Sequence, residues 1–128
     1  MRLLLDTATF LWIIGDAPEL SATARERFRD PGNEVYLSAV SAWEIAVKHA
    51  LGRLPLPSLP ATLVPEARTA HGIEPLPLDE EAALQLGSLP PVHRDPFDRM
   101  LVCQAIIHGM ALLTPDETIR RYPVRVLW

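Results

Sequence analysis

"MRLLLDTATFLWIIG", residues 1–15, runs from an arginine through three leucines to an aspartate, then into a second apolar block. "RLLL" has no polar alternation, so it reads as a strand covered on both faces, the type found in parallel sheets. "TATFLWII" behind it reads as a helix, stopped by Gly15 and Pro18. The block has no A-x-A cleavage signature, and Asp6 leaves it too short to span a bilayer. A buried strand that delivers an acid directly into a helix is therefore expected.

The same rhythm continues outward. Ser21 is placed to cap a helix over 22–30 that the Asp30-Pro31-Gly32 turn closes, and "EVYLS" (34–38) is a second strand. "VSAWEIAVKHAL" (40–51) has helical spacing, with Val40, Trp43, Ala46, Val47, Ala50 and Leu51 predicted on one buried face and Gly52 ending it. "RLPLPSLP" (53–60) is too rich in proline for a helix or central strand and reads as an ordered loop or arm. Helix is expected over 61–71, a short strand within "IEPLPL" (73–78), and helix over "DEEAALQLG" (79–87) with acids in its first turn. "PFDRMLVCQAIIHG" (96–109) is the next helix, "ALLT" (111–114) a strand, "DETIRRY" (116–122) a short helix and "VRVLW" (124–128) a closing strand.

Brief apolar strands alternating with helices predict an α/β layered unit with a short, mostly parallel sheet, spanning residues 1–128 without an internal repeat. The 128 residues are 48% hydrophobic and 22% charged, enough for a compact core. Cys103 is the single cysteine, which excludes an internal disulfide and suits a reducing, cytoplasmic setting. The net charge of −4 argues at first against a polyanionic partner. Arg94, Arg99, Arg120, Arg121 and Arg125 gather in the second half, however, and a cation bound among the acids would offset part of the negative charge. Charge thus neither supports nor excludes a nucleic acid.

In open α/β sheets the functional crevice lies outside the carboxyl ends of the strands. Asp6 directly follows the first strand and Asp116 lies just past "ALLT"; Glu44 and Asp98 fall on helices in largely apolar surroundings. Each also has a plainer explanation. Asp6 can cap the first helix, Glu44 can pair with Lys48 one turn on, and Asp116 can serve a turn in "TPDET". Asp95 precedes Pro96, a favoured first helical residue, and so reads as the N-cap. Asp98, third in that helix, can be a capping partner favoured by the helix dipole. It also enters a helix that is apolar at almost every angle, where a carboxylate needs a proton, a cation or hydrogen bonds. Two carboxylates about 4 Å apart repel by about 4 kcal/mol at an effective dielectric near 20. A set of such acids would raise one another's pKa or take up a metal, and oxygen ligands without His or Cys suit Mg²⁺ or Mn²⁺. Such an ion lowers the pKa of a water and stabilises charge on a phosphoryl oxygen, which is the chemistry of phosphodiester hydrolysis.

These motifs together resemble the PIN-domain ribonucleases of the VapC toxin type, from bacterial type II toxin–antitoxin modules. "LLLDTATFLW" resembles the family's opening strand with its first aspartate, and "SAVSAWEIAVKHALGRLPL" the segment bearing its glutamate. "HRDPFDRMLVCQA" and "LLTPDETI" resemble the third and fourth acidic motifs, and the order is kept almost end to end. The resemblance implies a Rossmann-like three-layer α/β/α sandwich and a Mg²⁺- or Mn²⁺-dependent endoribonuclease. By position, Asp6, Glu44 and Asp98 match the core acids and Asp116 the more variable fourth. Ala105 stands seven residues after Asp98, as the family pattern asks, which agrees with Asp95 being the cap.

Within that resemblance Thr7 and Thr114 are candidates for holding the acids, or for ordinary strand-end threonines bonded to the backbone. Arg99 is a candidate for the scissile phosphate or for an ion pair with Asp95 or another acid. His93 reads as a loop hydrogen-bonder rather than a general base. Trp12, Trp43 and Phe97 can stack on bases, though each is expected in the core. The implied partners are RNA, a second copy of the chain, and a cognate antitoxin, a VapB-like small DNA-binding protein; no membrane is implied. The apolar terminus, Val124 to Trp128, suits an interface or the core's edge. Two alternatives stand beside this: a non-catalytic PIN-like interaction module, and another metal-dependent phosphohydrolase. The D-x-D signature of haloacid dehalogenases is absent, since "TATF" follows Asp6.

Overall fold

A computed structural model describes all of residues 1–128. Its centre is β1 (Arg2–Leu5), flanked by β2 (Glu34–Ser38) and β4 (Ala111–Leu113), with β3 (Glu74–Leu76) and β5 (Val126–Leu127) at the edges. The order is β3-β2-β1-β4-β5 and every pairing is parallel, so all carboxyl ends share one edge of the sheet. Leu3 lies opposite both Val35 and Ala111.

Successive strand residues point to opposite faces, and the central strands supply both cores. Leu3, Leu5, Val35, Leu37, Ala111 and Leu113 enter one cluster with Phe10 and Ile13 of α1 (Thr7–Ile14), Ala24 of α2 (Ala22–Arg29) and Val64 of α4 (Pro60–Ala70). Leu4 and Leu112 enter the other, with Leu101, Val102 and Ala105 of α6 (Pro96–His108). Helices thus cover both faces, giving the three layers expected. Helix α6 has five consecutive buried residues, Leu101–Ala105, as a helix apolar at nearly every angle requires.

Some bounds move. Helix α2 ends at Arg29 with Asp30 as its C-cap, and α4 starts at Pro60 with Pro65 inside it. The 79–87 segment gives α5 (Glu80–Leu84) and then a 3₁₀ turn, Gln85–Ser88. Past β4 only a 3₁₀ turn, Ile119–Arg121, forms, because Asp116 takes the Thr118 N–H into a side-chain turn instead of starting a helix.

Helix α3 (Ala39–Ala50) requires a larger correction. Its buried residues are Val40, Ser41, Glu44 and Ile45, while Trp43 is 59% exposed, Leu51 is 60% exposed, and Ala46 and Ala50 also face solvent. Apolarity pointed to the wrong face because this helix buries polar side chains that bond to α1. The proline-rich segment lays Leu54 and Leu56 on the α1–α4 core beside Leu11, Ile14 and Leu63. At the terminus Trp128 meets Trp12, ring centroids 5.8 Å apart, so it finishes the core's edge.

This placement predicts unequal costs within one helix end. Ile45→Ala removes a fully buried side chain and is expected to cost about 2–5 kcal/mol in denaturant melts. Leu51→Ala is expected to stay within about 0.5 kcal/mol of the parent.

Candidate functional site

At the carboxyl edge of the sheet a cleft of about 280 Å³ is lined by Asp6, Thr7, Ala8, Glu44, Lys48, Asp95, Asp98, Pro115 and Asp116. The four acids singled out in the sequence therefore meet in one place. They come from the end of β1, the buried face of α3, the first turn of α6 and the segment after β4.

Each is held by a local device. Asp6 caps α1, its Oδ1 accepting the Thr9 N–H at 2.8 Å, and its Oδ2 accepts the Thr114 hydroxyl. Thr114 Oγ1 in turn accepts the Asp116 N–H at 3.1 Å. Glu44 is 4% exposed; its Oε1 accepts the Thr7 hydroxyl at 2.6 Å and its Oε2 the Lys48 ammonium. Asp95 caps α6, Oδ1 accepting the N–H groups of Phe97 (2.8 Å) and Asp98 (3.2 Å). The plain readings of Asp6, Glu44 and Asp116 thus hold alongside convergence: capping, pairing and turn formation are the means by which the acids are aimed.

Electrostatics single out Asp98. Burial foremost, then the charges of Asp95, Glu44 and Asp6, push its pKa up to about 7, with His93 opposing. Burial also raises Asp6, although its bonds from Thr114 and Thr9 hold it back. For Asp116 burial pushes upward, but the hydrogen bonds from His93 and the Thr118 N–H outweigh it and leave the carboxyl below its ordinary range. The hydrogen bond to Glu44 raises the Lys48 pKa, so the one cation on the wall stays charged. Five carboxylates around one ammonium form an oxygen-donor set short of positive charge, which fits a hard divalent cation.

The tightest grouping of ligand-type atoms is His93, Asp98 and Asp116, all within 4.8 Å of one another; Asp6 and Glu44 lie outside it on the same wall. Thr7 and Thr114 hold acids by their hydroxyls. Arg99 is not on the wall and makes no ion pair with Asp95 or any other acid; its Nε is buried without a partner. Trp43 is not in the core but exposed, with Phe97 edge-on against it at 4.9 Å between ring centroids. The sequence reading passed over Lys48 and Asp95 as members of the cleft and kept His93 at its margin. Their spacing, one turn after Glu44 and within five residues of Asp98, was the available signal.

The PIN domain family model matches residues 3–124. A stretch of 66 residues is 42% identical to Ribonuclease VapC16 of Mycobacterium tuberculosis, covering 48% of this chain and 47% of that protein. The chain thus aligns with about half the length of that curated relative. The fold is similar to VapBC2 from Rickettsia felis, solved bound to a promoter DNA fragment, at TM-score 0.75 and 13% identity over 99% of this chain and 98% of that one. It is also similar to DNA-bound VapBC from Salmonella typhimurium, at 0.70 and 22% identity over 99% and 97%. With the three-layer parallel sheet and the acids on its carboxyl edge already in view, the match over nearly the whole chain is decisive: the chain belongs to the PIN-domain family.

Proposed function

We propose that the chain is a Mg²⁺- or Mn²⁺-dependent endoribonuclease, the toxin of a type II toxin–antitoxin pair. The observation that carries this reading is the convergence of Asp6, Glu44, Asp98 and Asp116, from four separate segments, on one cleft whose single cation is Lys48. In this reading Asp6, Glu44 and Asp98 hold the ion, directly or through water, and Asp116 assists. The ion would supply a more acidic water and offset charge on the phosphoryl oxygens of the scissile link.

The chain's own residues do the rest. Thr7 and Thr114 orient Glu44 and Asp6, and the Asp95 cap sets the turn on which Asp98 stands. Lys48 is the wall's one side chain suited to a phosphate. The exposed Trp43 ring, braced by Phe97 on the helices that bear Glu44 and Asp98, offers a face for a base to stack on. The similar VapC16 is named a ribonuclease and the similar structures are VapBC assemblies. These names support RNA as substrate and an antitoxin as partner; a second copy of the chain and a cytoplasmic setting belong to the same proposal. No helix is long and apolar enough to cross a membrane.

Purified protein is expected to cut total RNA with Mg²⁺ or Mn²⁺ and to stop with EDTA. Asp98→Asn is expected to lower the rate at least about 100-fold, the loss that several kcal/mol of charge stabilisation implies. Full activity of Asp98→Asn alongside a dead Asp95→Asn would reverse the two roles. An intact fold that binds no divalent cation in calorimetry would instead favour the interaction module.

A second expectation concerns pH. The folded-state pKa of Asp98 lies near 7 against an ordinary 3.8, so the folded protein holds that proton more tightly than the unfolded chain. The charged carboxylate therefore costs stability progressively as pH rises from the ordinary value to about 7. Without divalent ions at pH 8, Asp98→Asn is expected to melt a few degrees higher, about 1–2 kcal/mol after allowance for screening. The difference should vanish toward pH 4. Added Mg²⁺ should raise the melting temperature of the parent more than that of the variant.

A further inference from the structure

His93 sits in the closest group of ligand-type atoms, yet its hydrogen bonds argue against a ligand role. The Asp95 backbone N–H, which can only donate, lies 3.1 Å from His93 Nδ1, so Nδ1 presents a lone pair and the ring carries its N–H at Nε2. That Nε2–H donates to Asp116 Oδ2 at 3.0 Å, and Asp98 Oδ2 stands 3.3 Å from the same nitrogen. With Nδ1 accepting and Nε2 donating, no lone pair is left for a cation unless the ring loses its last proton. His93 is pinned at a third point, its own N–H donating to the Tyr122 hydroxyl at 2.6 Å, and Tyr122 is anchored in the core.

We propose that His93 is a positioning residue of the acidic cleft: an imidazole whose Nε2–H holds the Asp116 carboxylate beside that of Asp98, without touching the ion. This rests on the reading of the cleft as a divalent-cation site and adds a residue to it. Two carboxylates with facing oxygens would otherwise swing apart to reduce their repulsion. The donor fixes Asp116 in place next to Asp98. Such outer partners of ligating carboxylates typically govern metal affinity by about 10–100-fold. The arrangement also gives Asp95 a further task, since the residue that caps α6 sets the tautomer of the ring through its own N–H.

The test uses the full chain, with Mn²⁺ as probe and thermal melting as the control for folding. His93→Ala is expected to weaken Mn²⁺ binding about tenfold or more. His93→Gln, whose amide N–H₂ reaches the place of Nε2–H, should recover most of the affinity. Nitrogen-resolved NMR of the imidazole in the metal-free parent should show the Nε2–H tautomer. An Nδ1–H tautomer, a directly coordinated nitrogen in spin-echo spectra of the Mn²⁺ complex, or unchanged affinity in His93→Ala would each overturn the proposal while leaving the cation site standing. If His93→Ala fails to fold, the tautomer and the spin-echo spectrum of the parent still decide it. A parent protein that binds no Mn²⁺ would overturn the proposed function, and the positioning role with it.

Discussion

Asp6 ends the central strand with a carboxylate almost out of reach of water, and a different element holds each of its oxygens. Oδ1 takes the Thr9 N–H at the start of α1, and Oδ2 takes the hydroxyl of Thr114 at the end of β4. A buried carboxylate is tolerable only with such partners. Satisfying it ties the ends of two neighbouring strands to the first turn of a helix. Thr114 passes the constraint on by accepting the Asp116 N–H, so the fourth acid is aimed by the same chain of bonds. A parallel sheet makes this possible, because it brings every strand end to one edge where crossovers begin.

The two helices that carry the other acids are set against this edge by polar contacts as much as by apolar packing. Ser38 caps α3 through the Val40 N–H and donates its hydroxyl to Gln104 of α6, and both side chains are buried. Gln104 also donates to the Pro77 carbonyl. Glu44 is then met by the Thr7 hydroxyl from α1, and Asp98 Oδ2 stands 3.3 Å from His93 Nε2, which bonds to Asp116. A largely buried polar network of this kind specifies one arrangement, since a shift leaves a buried donor or acceptor unpaired. What the network leaves unmatched is negative charge, and that residue of electrostatic cost is concentrated on Asp98.

The strands were legible because a parallel sheet with helices on both faces requires short unbroken apolar runs, as in "RLLL" and "ALL". The Asp95 cap was legible because proline at the first helical position leaves few geometries. Helix α3 was not. Its apolar residues outline a face containing Trp43 and Leu51, whereas the chain buries Ser41 and Glu44 and exposes the tryptophan. Periodicity measures a residue's affinity for water, and at a functional site that preference is overridden by specific partners. Arg99 illustrates the same limit in reverse: an arginine beside two aspartates suggested a pair, but it forms an ion pair with neither and its Nε is buried without a partner.

The layers, the order of the elements and the acids at strand ends and helix starts can all be read along the chain. These follow from local rules: apolar runs, caps, and proline and glycine as stops. Only the folded chain brings Asp6, Glu44, Asp98 and Asp116 to one cleft, adds Lys48 and Asp95 to its wall, and sets His93 on Asp116 beside Asp98. Those contacts join residues far apart in the chain, Asp6 to Thr114 being 108 positions distant. Their energies depend on burial and on distances between side chains, which no local pattern encodes.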